Sequence, residues 1–310
     1  MKPLHSFITI NEVKSEDAIY YHLGKNIYKK RKKHSSAADH SFLSREDIRK
    51  KYHITKGNFR QGIIKFAKDT LYPIEDEKNE FIKRKDWDLK GICGQSKDVL
   101  LHPHFEKIRN IIKEKHKKKH NNLLILPCAN KKPYFDARMY SSIIRIFSCC
   151  CDIVYVSNPG LVPNEYCNYY PYRYYEWDDK ELDDETSKLY DKLVPKYIKD
   201  YLNHFNYDNI IVAILHHWER GVVDDIRDNG PESLSKKLIY PWSEKFITGI
   251  IKNPDYNLTE GLLYTRGYNF FPCLEKLYKD ILPTVKDKDE RKALQKAWKE
   301  HEENSASSYK

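Results

Sequence analysis

Solid apolar runs separated by amphipathic stretches dominate the second half of the chain. Leu123-Leu124-Ile125-Leu126, Asp152-Ile153-Val154-Tyr155-Val156 and Asn209-Ile210-Ile211-Val212-Ala213-Ile214-Leu215 show no alternation of apolar and polar positions. A strand has this pattern when both faces of its sheet are covered, as in parallel sheets. Between the first two runs, DARMYSSIIRIFSCC (136–150) carries helical spacing with Asp136 at its start. Residues 180–205 repeat that spacing through Leu182, Leu189, Leu193, Tyr197, Tyr201 and Leu202, and 224–227, 234–251 and 287–303 suit helices too. Strand, helix, strand, helix, strand predicts an α/β fold, a parallel-sheet domain covered by helices on both faces. A long loop rich in Pro, Tyr and Asn follows the second strand. Ligands of such sheets bind beyond the carboxyl ends of the strands. The loops opening at Pro127-Cys128, Ser157-Asn158-Pro159-Gly160 and His216-His217-Trp218 are therefore where chemistry is expected.

The front of the chain is patterned differently. Ser44 followed by Arg45-Glu46-Asp47 is a helix start, and Ile48 and Tyr52 share a face. After a short break, Thr55 caps a second helix whose apolar positions are Phe59, Ile63, Phe66 and Ala67. Lys56, Asn58, Arg60, Gln61 and Lys65 fill its other positions. TLYPI and EFIKR flank the polar turn EDEKN as a hairpin would. Residues 44–88 thus predict a winged helix-turn-helix-like, mainly helical section, with Lys56, Asn58, Arg60 and Lys65 as nucleic-acid contacts. The alternative is a small helical domain that docks on protein. With ~150 residues per domain, the chain divides into a front section, 1–120, and an α/β domain, 121–310.

Charge sharpens that division. Residues 1–120 hold 29 Lys and Arg against 16 Asp and Glu, while 121–310 hold 26 against 29. A polyanion is the natural partner of the front section, because neutralising phosphates releases counterions; DNA and RNA are equally compatible with it. Lys25–Lys33 suggests a basic arm followed by a small-residue linker. Lys113–His120 either contacts phosphate or complements the dipole at the end of a helix that begins near Pro103. No run approaches the ~18 apolar residues of a membrane span, and the start of the chain has no signal-peptide core. The seven cysteines include three in a row, Cys149-Cys150-Cys151, and form no CxxC pair. Reduced thiols, a cytoplasmic home and no metal are expected. The 24 tyrosines suit half-buried, polar-tipped positions such as clefts.

Two segments carry a family likeness. Pro127-Cys128-Ala129-Asn130-Lys131-Lys132-Pro133-Tyr134 resembles the PC-x3-KPY motif of archaeosine synthase. Gly160-Leu161-Val162-Pro163-Asn164-Glu165, then Tyr170-Pro171, Tyr174-Tyr175 and Trp177, resembles that family's GLVPxE…YP…Y…W stretch. The likeness runs from residue 123 to about 220. The family's first motif continues with Ser and His, places taken here by Ala137 and Tyr140. The resemblance implies an enzyme that adds an amine to the nitrile of 7-cyano-7-deazaguanine, or a related base, in tRNA or DNA, without a cofactor. Its partners would be the nucleic acid, the modified guanine and an amine donor.

Each candidate residue has a plainer reading beside the chemical one. Cys128 is either a thiolate nucleophile near Lys131 and Lys132 or a small residue closing a strand. Lys132 either holds an anion or is a solvated loop lysine. Tyr134 either stacks on a base or packs in the core. Asp136 is either an acid–base group or a helix N-cap. Pro163, Glu165, Tyr175 and Trp177 are implied substrate-binding positions. His216 is either a proton shuttle or a structural histidine. A different function class also fits: a DNA-binding protein whose α/β domain senses a small molecule without turnover. A nuclease would need metal-binding acids at the strand ends, and the three runs supply none.

Overall fold

The computed structural model describes residues 18–22, 28–32, 42–43, 81–83, 86–92, 96–129, 132–175, 184–215, 217–256 and 258–307. The expected helix-turn-helix, with Lys56, Asn58, Arg60 and Lys65, lies outside them, as do Trp177 and His216.

Packing divides the chain into two compact units. One combines the described part of 1–110 with Ala129–Tyr134 and Asn168–Thr186; the other combines Ile111–Cys128, Phe135–Cys167 and Ser187–Lys310. Near the start, β1 (Ala18–His22), β2 (Tyr28–Lys32) and β3 (Phe42–Leu43) form an antiparallel sheet in that order. The basic run expected as an arm therefore supplies the central strand of this small sheet. The first unit also holds three helices' worth of backbone: α1 (Leu89–Ile92), α2 (Ser96–Leu101) and the start of α3 (Pro103–Lys115).

The second unit is built on five strands in the order β6-β5-β4-β7-β8. They are β4 (Asn122–Pro127), β5 (Cys151–Ser157), β6 (Gly160–Pro163), β7 (Asn209–Val212) and β8 (Leu238–Ile239). β4 pairs parallel with both β5 and β7, Leu124 lying opposite Ile153 on one side and Ile211 on the other. Every residue of β4 and β5 is buried, which is why these runs do not alternate. Burying each large aliphatic side chain contributes about 1.5–3 kcal/mol. The helices around the sheet are α4 (Ser141–Phe147), α5 (Asp184–Phe205), α6 (His217–Asn229), α7 (Glu232–Ser235), α8 (Glu244–Lys252), α9 (Glu260–Arg266), α10 (Phe271–Ile281) and α11 (Lys288–Ser307). The fold is α/β with a mostly parallel sheet.

Three local expectations change. The long loop after β5 opens with a tight hairpin: Ser157 pairs with Gly160, and β6 returns antiparallel along the sheet edge. Gly160 sits at φ 108°, and a Cβ there would meet the Tyr197 Cβ at 2.9 Å, so glycine is required. The helix expected from Asp136 starts instead at Ser141. Single 3-10 turns at Tyr134–Asp136 and Arg138–Tyr140 precede it, with Ala137 extended between them. Asp136 is therefore not the N-cap; Tyr140 holds that place. The helix expected over 234–251 is interrupted by β8, whose two residues pair parallel with β7.

Candidate functional site

The carboxyl edge of the sheet carries the first candidate residue. Connections leave β4 toward β5 and β7 toward β8, in opposite directions, so the ends of β4 and β7 form the switch point where open α/β sheets take ligands. Cys128 follows the end of β4 and is half-buried. Two buried tyrosines hold the backbone here. Tyr140 donates its hydroxyl to the Pro127 carbonyl at 2.7 Å and reaches the Cys128 carbonyl at 3.3 Å. Tyr268 accepts from the Leu215 N–H, past the end of β7, at 3.0 Å. Their rings meet edge to face, centroids 5.5 Å apart, over the equally buried Trp242. Tyr140 takes the place where the resembled motif has His. Here it anchors the backbone beside the candidate thiol. Tyr140→Phe would strand a buried carbonyl and is expected to cost about 1–3 kcal/mol. Chemical denaturation checks this: the midpoint should fall with the slope unchanged.

Within the first unit the two motif segments meet. Lys132 donates its ammonium to the Tyr175 carbonyl, and the same nitrogen lies 3.1 Å from the centroid of the Tyr175 ring. Carbonyl and ring face both favour a cation there. Tyr134 and Tyr175 share a hydrogen bond between their hydroxyls. Both rings are almost fully buried, and Phe105 packs edge-on against Tyr175 with centroids 5.5 Å apart. Each motif carries a cis prolyl bond, Lys132-Pro133 and Tyr170-Pro171. Tyr174 is half-buried, its ring 5.1 Å from that of Trp87.

Pro163 and Glu165 belong to the second unit. Pro163 is the buried end of β6, and its carbonyl accepts from the Cys167 thiol. Glu165 pairs with Lys119 at 3.0 Å and lies 3.8 Å from Nδ1 of His116. The hydrogen bond from Lys119 to Glu165 and the carboxylate's charge push the Lys119 amine above its ordinary value. His116 moves the other way: burial lowers its pKa, although Glu165 and Asp152 oppose this. Beside them the buried Asp152 accepts from the Tyr207 hydroxyl at 2.9 Å and from the Lys119 N–H at 3.0 Å. Glu165, expected at a substrate, thus has partners within its own chain.

None of the six described cysteines is joined in a disulfide. Hydrogen bonding to Cys150 and burial push the Cys149 thiol far up; Cys150 is also raised, its bond from Cys149 lowering it while Cys151 and burial outweigh that. Raised in this way, Cys149 and Cys150 are disfavoured as thiolates. Among the described residues no group of three His, Cys, Asp or Glu side chains could hold a metal, and no helix is long and apolar enough to cross a membrane.

Reading the sequence missed one polar cluster in the first unit: Asp88, His102, His104 and Tyr170. His102-Pro103-His104 at a helix start was its only local trace. The partners lie far along the chain.

A family described as a domain of unknown function, DUF5591, matches residues 105–244. Among curated proteins none matches. Among solved structures, the crystal structure of AF0587, a protein of unknown function, is similar at 16% identity with a TM-score of 0.34. The match covers 58% of this chain and 50% of that one, so this chain spans about half the length of that protein.

Proposed function

We propose that this chain modifies a base in nucleic acid, joining an amine to the nitrile of 7-cyano-7-deazaguanine or a related 7-deazaguanine in tRNA or DNA, as the archaeosine synthases it resembles do. The observation that carries the reading is the bonded cluster of Lys132 and Tyr134 with Tyr175, which brings together two motif segments that are distant in sequence. A nitrile carbon is electrophilic. On this reading the Cys128 thiolate adds to it while the nitrile nitrogen takes up a proton, giving a thioimidate, and the amine then adds, gives up a proton and expels the thiolate to leave an amidine. The C–S bond made first is broken second, so no oxidant, reductant or cofactor is consumed. Lys132 orients the substrate.

The excess positive charge of residues 1–120 supplies affinity for the polyanion. Replacing Lys56, Arg60 and Lys65 together should weaken binding to duplex DNA and tRNA across sequences. It should also flatten the dependence of log affinity on log salt by about 2–3. Fluorescence anisotropy over a salt series reads both; an unchanged slope would remove these residues from the interface.

A second reading is a DNA-binding protein whose α/β part binds a small molecule without turnover. It draws on the burial of Tyr134 and Tyr175, whose hydroxyls already satisfy each other. Mass spectrometry of nucleosides from DNA and tRNA of cells with and without the chain separates the two. An amidine-bearing 7-deazaguanosine that depends on the chain supports the enzyme. Identical nucleoside profiles contradict it.

A further inference from the structure

The amino edge of the sheet, away from the strand end that leads to Cys128, gathers lysines from three separate stretches of the second unit. Because β4, β7 and β8 run parallel, the residues that precede them lie side by side: Asn122 is opposite Asn209, and Ile210 is opposite Leu238. Lys118 precedes β4, Asn206 to Asp208 precede β7, and Lys237 precedes β8. α5 ends at Phe205, and Asn206 turns the chain out of it with φ 46°, a conformation that asparagine tolerates. Lys118 donates to the Asn206 backbone carbonyl at 3.3 Å, and Lys237 donates to its side-chain carbonyl at 2.6 Å. Lys286 donates to Asp208 at 3.1 Å. Tyr207, between the two acceptors, is buried, and the Lys118 ammonium stands 5.4 Å from the centroid of its ring. Lys118, Asn206, Asp208 and Lys286 are exposed, and Lys237 is half-buried.

Stabilising the end of α5 accounts for part of this arrangement. A helix carboxyl end carries about half a negative charge, and Asp208 adds one. Three ammonium groups exceed that sum. The other carboxylates of this edge are engaged elsewhere. Glu165 pairs with Lys119, and the buried Asp152 accepts from the Tyr207 hydroxyl and the Lys119 N–H. Glu290 faces His120, and Asp287 accepts from the N–H groups of Asp289 and Glu290. Among the described residues Lys118 and Lys237 meet neutral oxygens and form no ion pair. Their charge is held in place without being neutralised.

We propose that Lys118, Lys237 and Lys286 form a phosphate-contact surface on which the backbone of the nucleic acid docks. The inference rests on the nucleic-acid partner of the proposed function and extends its footprint to the second unit. The basic run 113–120 thereby divides: Lys119 is held by Glu165, and Lys118 faces the partner. The three groups are point charges rather than bidentate forks, which suits phosphates contacted without regard to sequence. Each phosphate they neutralise releases counterions, so their contribution is read in the salt dependence of binding.

Fluorescence anisotropy of the full chain with tRNA, and separately duplex DNA, over a salt series tests this. Replacing Lys118, Lys237 and Lys286 together by Gln should flatten the dependence of log affinity on log salt by about 2–3 in at least one of the two. Replacing the same three by Arg should keep the parent slope. Asp208→Asn removes the carboxylate that competes for Lys286 and should tighten binding about two- to fivefold, the scale of one exposed ion pair; this variant leaves every lysine in place. A parent slope in the Gln variant, a slope lost equally in the Arg variant, or an Asp208→Asn chain that binds no more tightly than the parent overturns this inference alone. Capture by anionic-lipid vesicles that the Gln variant loses, with nucleic-acid affinity equal in both chains, would assign the face to a membrane surface and overturn it too. A parent chain that binds neither nucleic acid overturns the nucleic-acid reading and this inference with it.

Discussion

Cys128→Ser is expected to lower adduct formation by about three orders of magnitude or more, the scale on which loss of a covalent nucleophile registers. The fold should be unaffected. Ser is close to Cys in volume, the position is only half-buried, and the groups that Tyr140 grips are backbone carbonyls that the substitution leaves in place. Nucleic-acid affinity should also be unchanged, since the proposed function assigns it to the basic front section. Circular dichroism, anisotropy and single-turnover mass spectrometry on the same preparation separate these effects. Full activity of the variant would remove the thiol from the reaction and leave direct attack of the amine on the nitrile. The departures at Ala137 and Tyr140 make this test decisive for the covalent route.

Phe105→Ala is expected to be the most destabilising single truncation near the motif cluster. Phe105 is fully buried, and its ring touches Tyr172, Tyr175 and His102, with centroids 5.9, 5.5 and 6.2 Å away. Removing a buried phenyl ring costs about 3–5 kcal/mol through lost transfer energy and the cavity left behind. Phe105→Leu keeps most of the volume and should cost about 1–2 kcal/mol. Urea denaturation followed by tyrosine and tryptophan fluorescence reads both. Tyr175 carries both the carbonyl and the ring that hold Lys132, so adduct formation by Phe105→Ala should fall even under conditions where the variant is folded. Equal stabilities for the Ala and Leu variants would mean that the ring is not packed as described.

The parallel core was legible because burial on both faces writes itself into the sequence. β4, β5 and β7 admit polar residues only near their ends, as Asn122, Asp152 and Asn209 show. What escaped was short or non-local. β8 has two residues and no pattern to detect. The hairpin at 157–160 resembles a loop because its turn is Asn158-Pro159 and its return strand starts with Gly160. The start of α4 was misplaced because 134–140 wind as separate 3-10 turns, which keep much of the apolar spacing of a helix.

The candidate site divides in the same way. Lys132, Tyr134 and Tyr175 stood out only through the family likeness; no spacing rule links a lysine to a carbonyl 43 positions away. His104 escaped because the hydroxyl that faces it comes from Tyr170, 66 positions on. Glu165 shows the converse. A motif carboxylate with a ready functional role turns out to be paired with Lys119 of its own chain.

The most direct test of the account is one incubation of the purified full chain with tRNA, and separately DNA, carrying 7-cyano-7-deazaguanine, in the presence of nitrogen-15 lysine, followed by nucleoside mass spectrometry. The account predicts that in at least one nucleic acid the nitrile nucleoside is consumed. It should be replaced by a species whose mass is the sum of nitrile nucleoside and lysine, carrying the label. A nitrile nucleoside that survives unchanged in both, with labelled lysine and then with labelled ammonium as the amine, would contradict it.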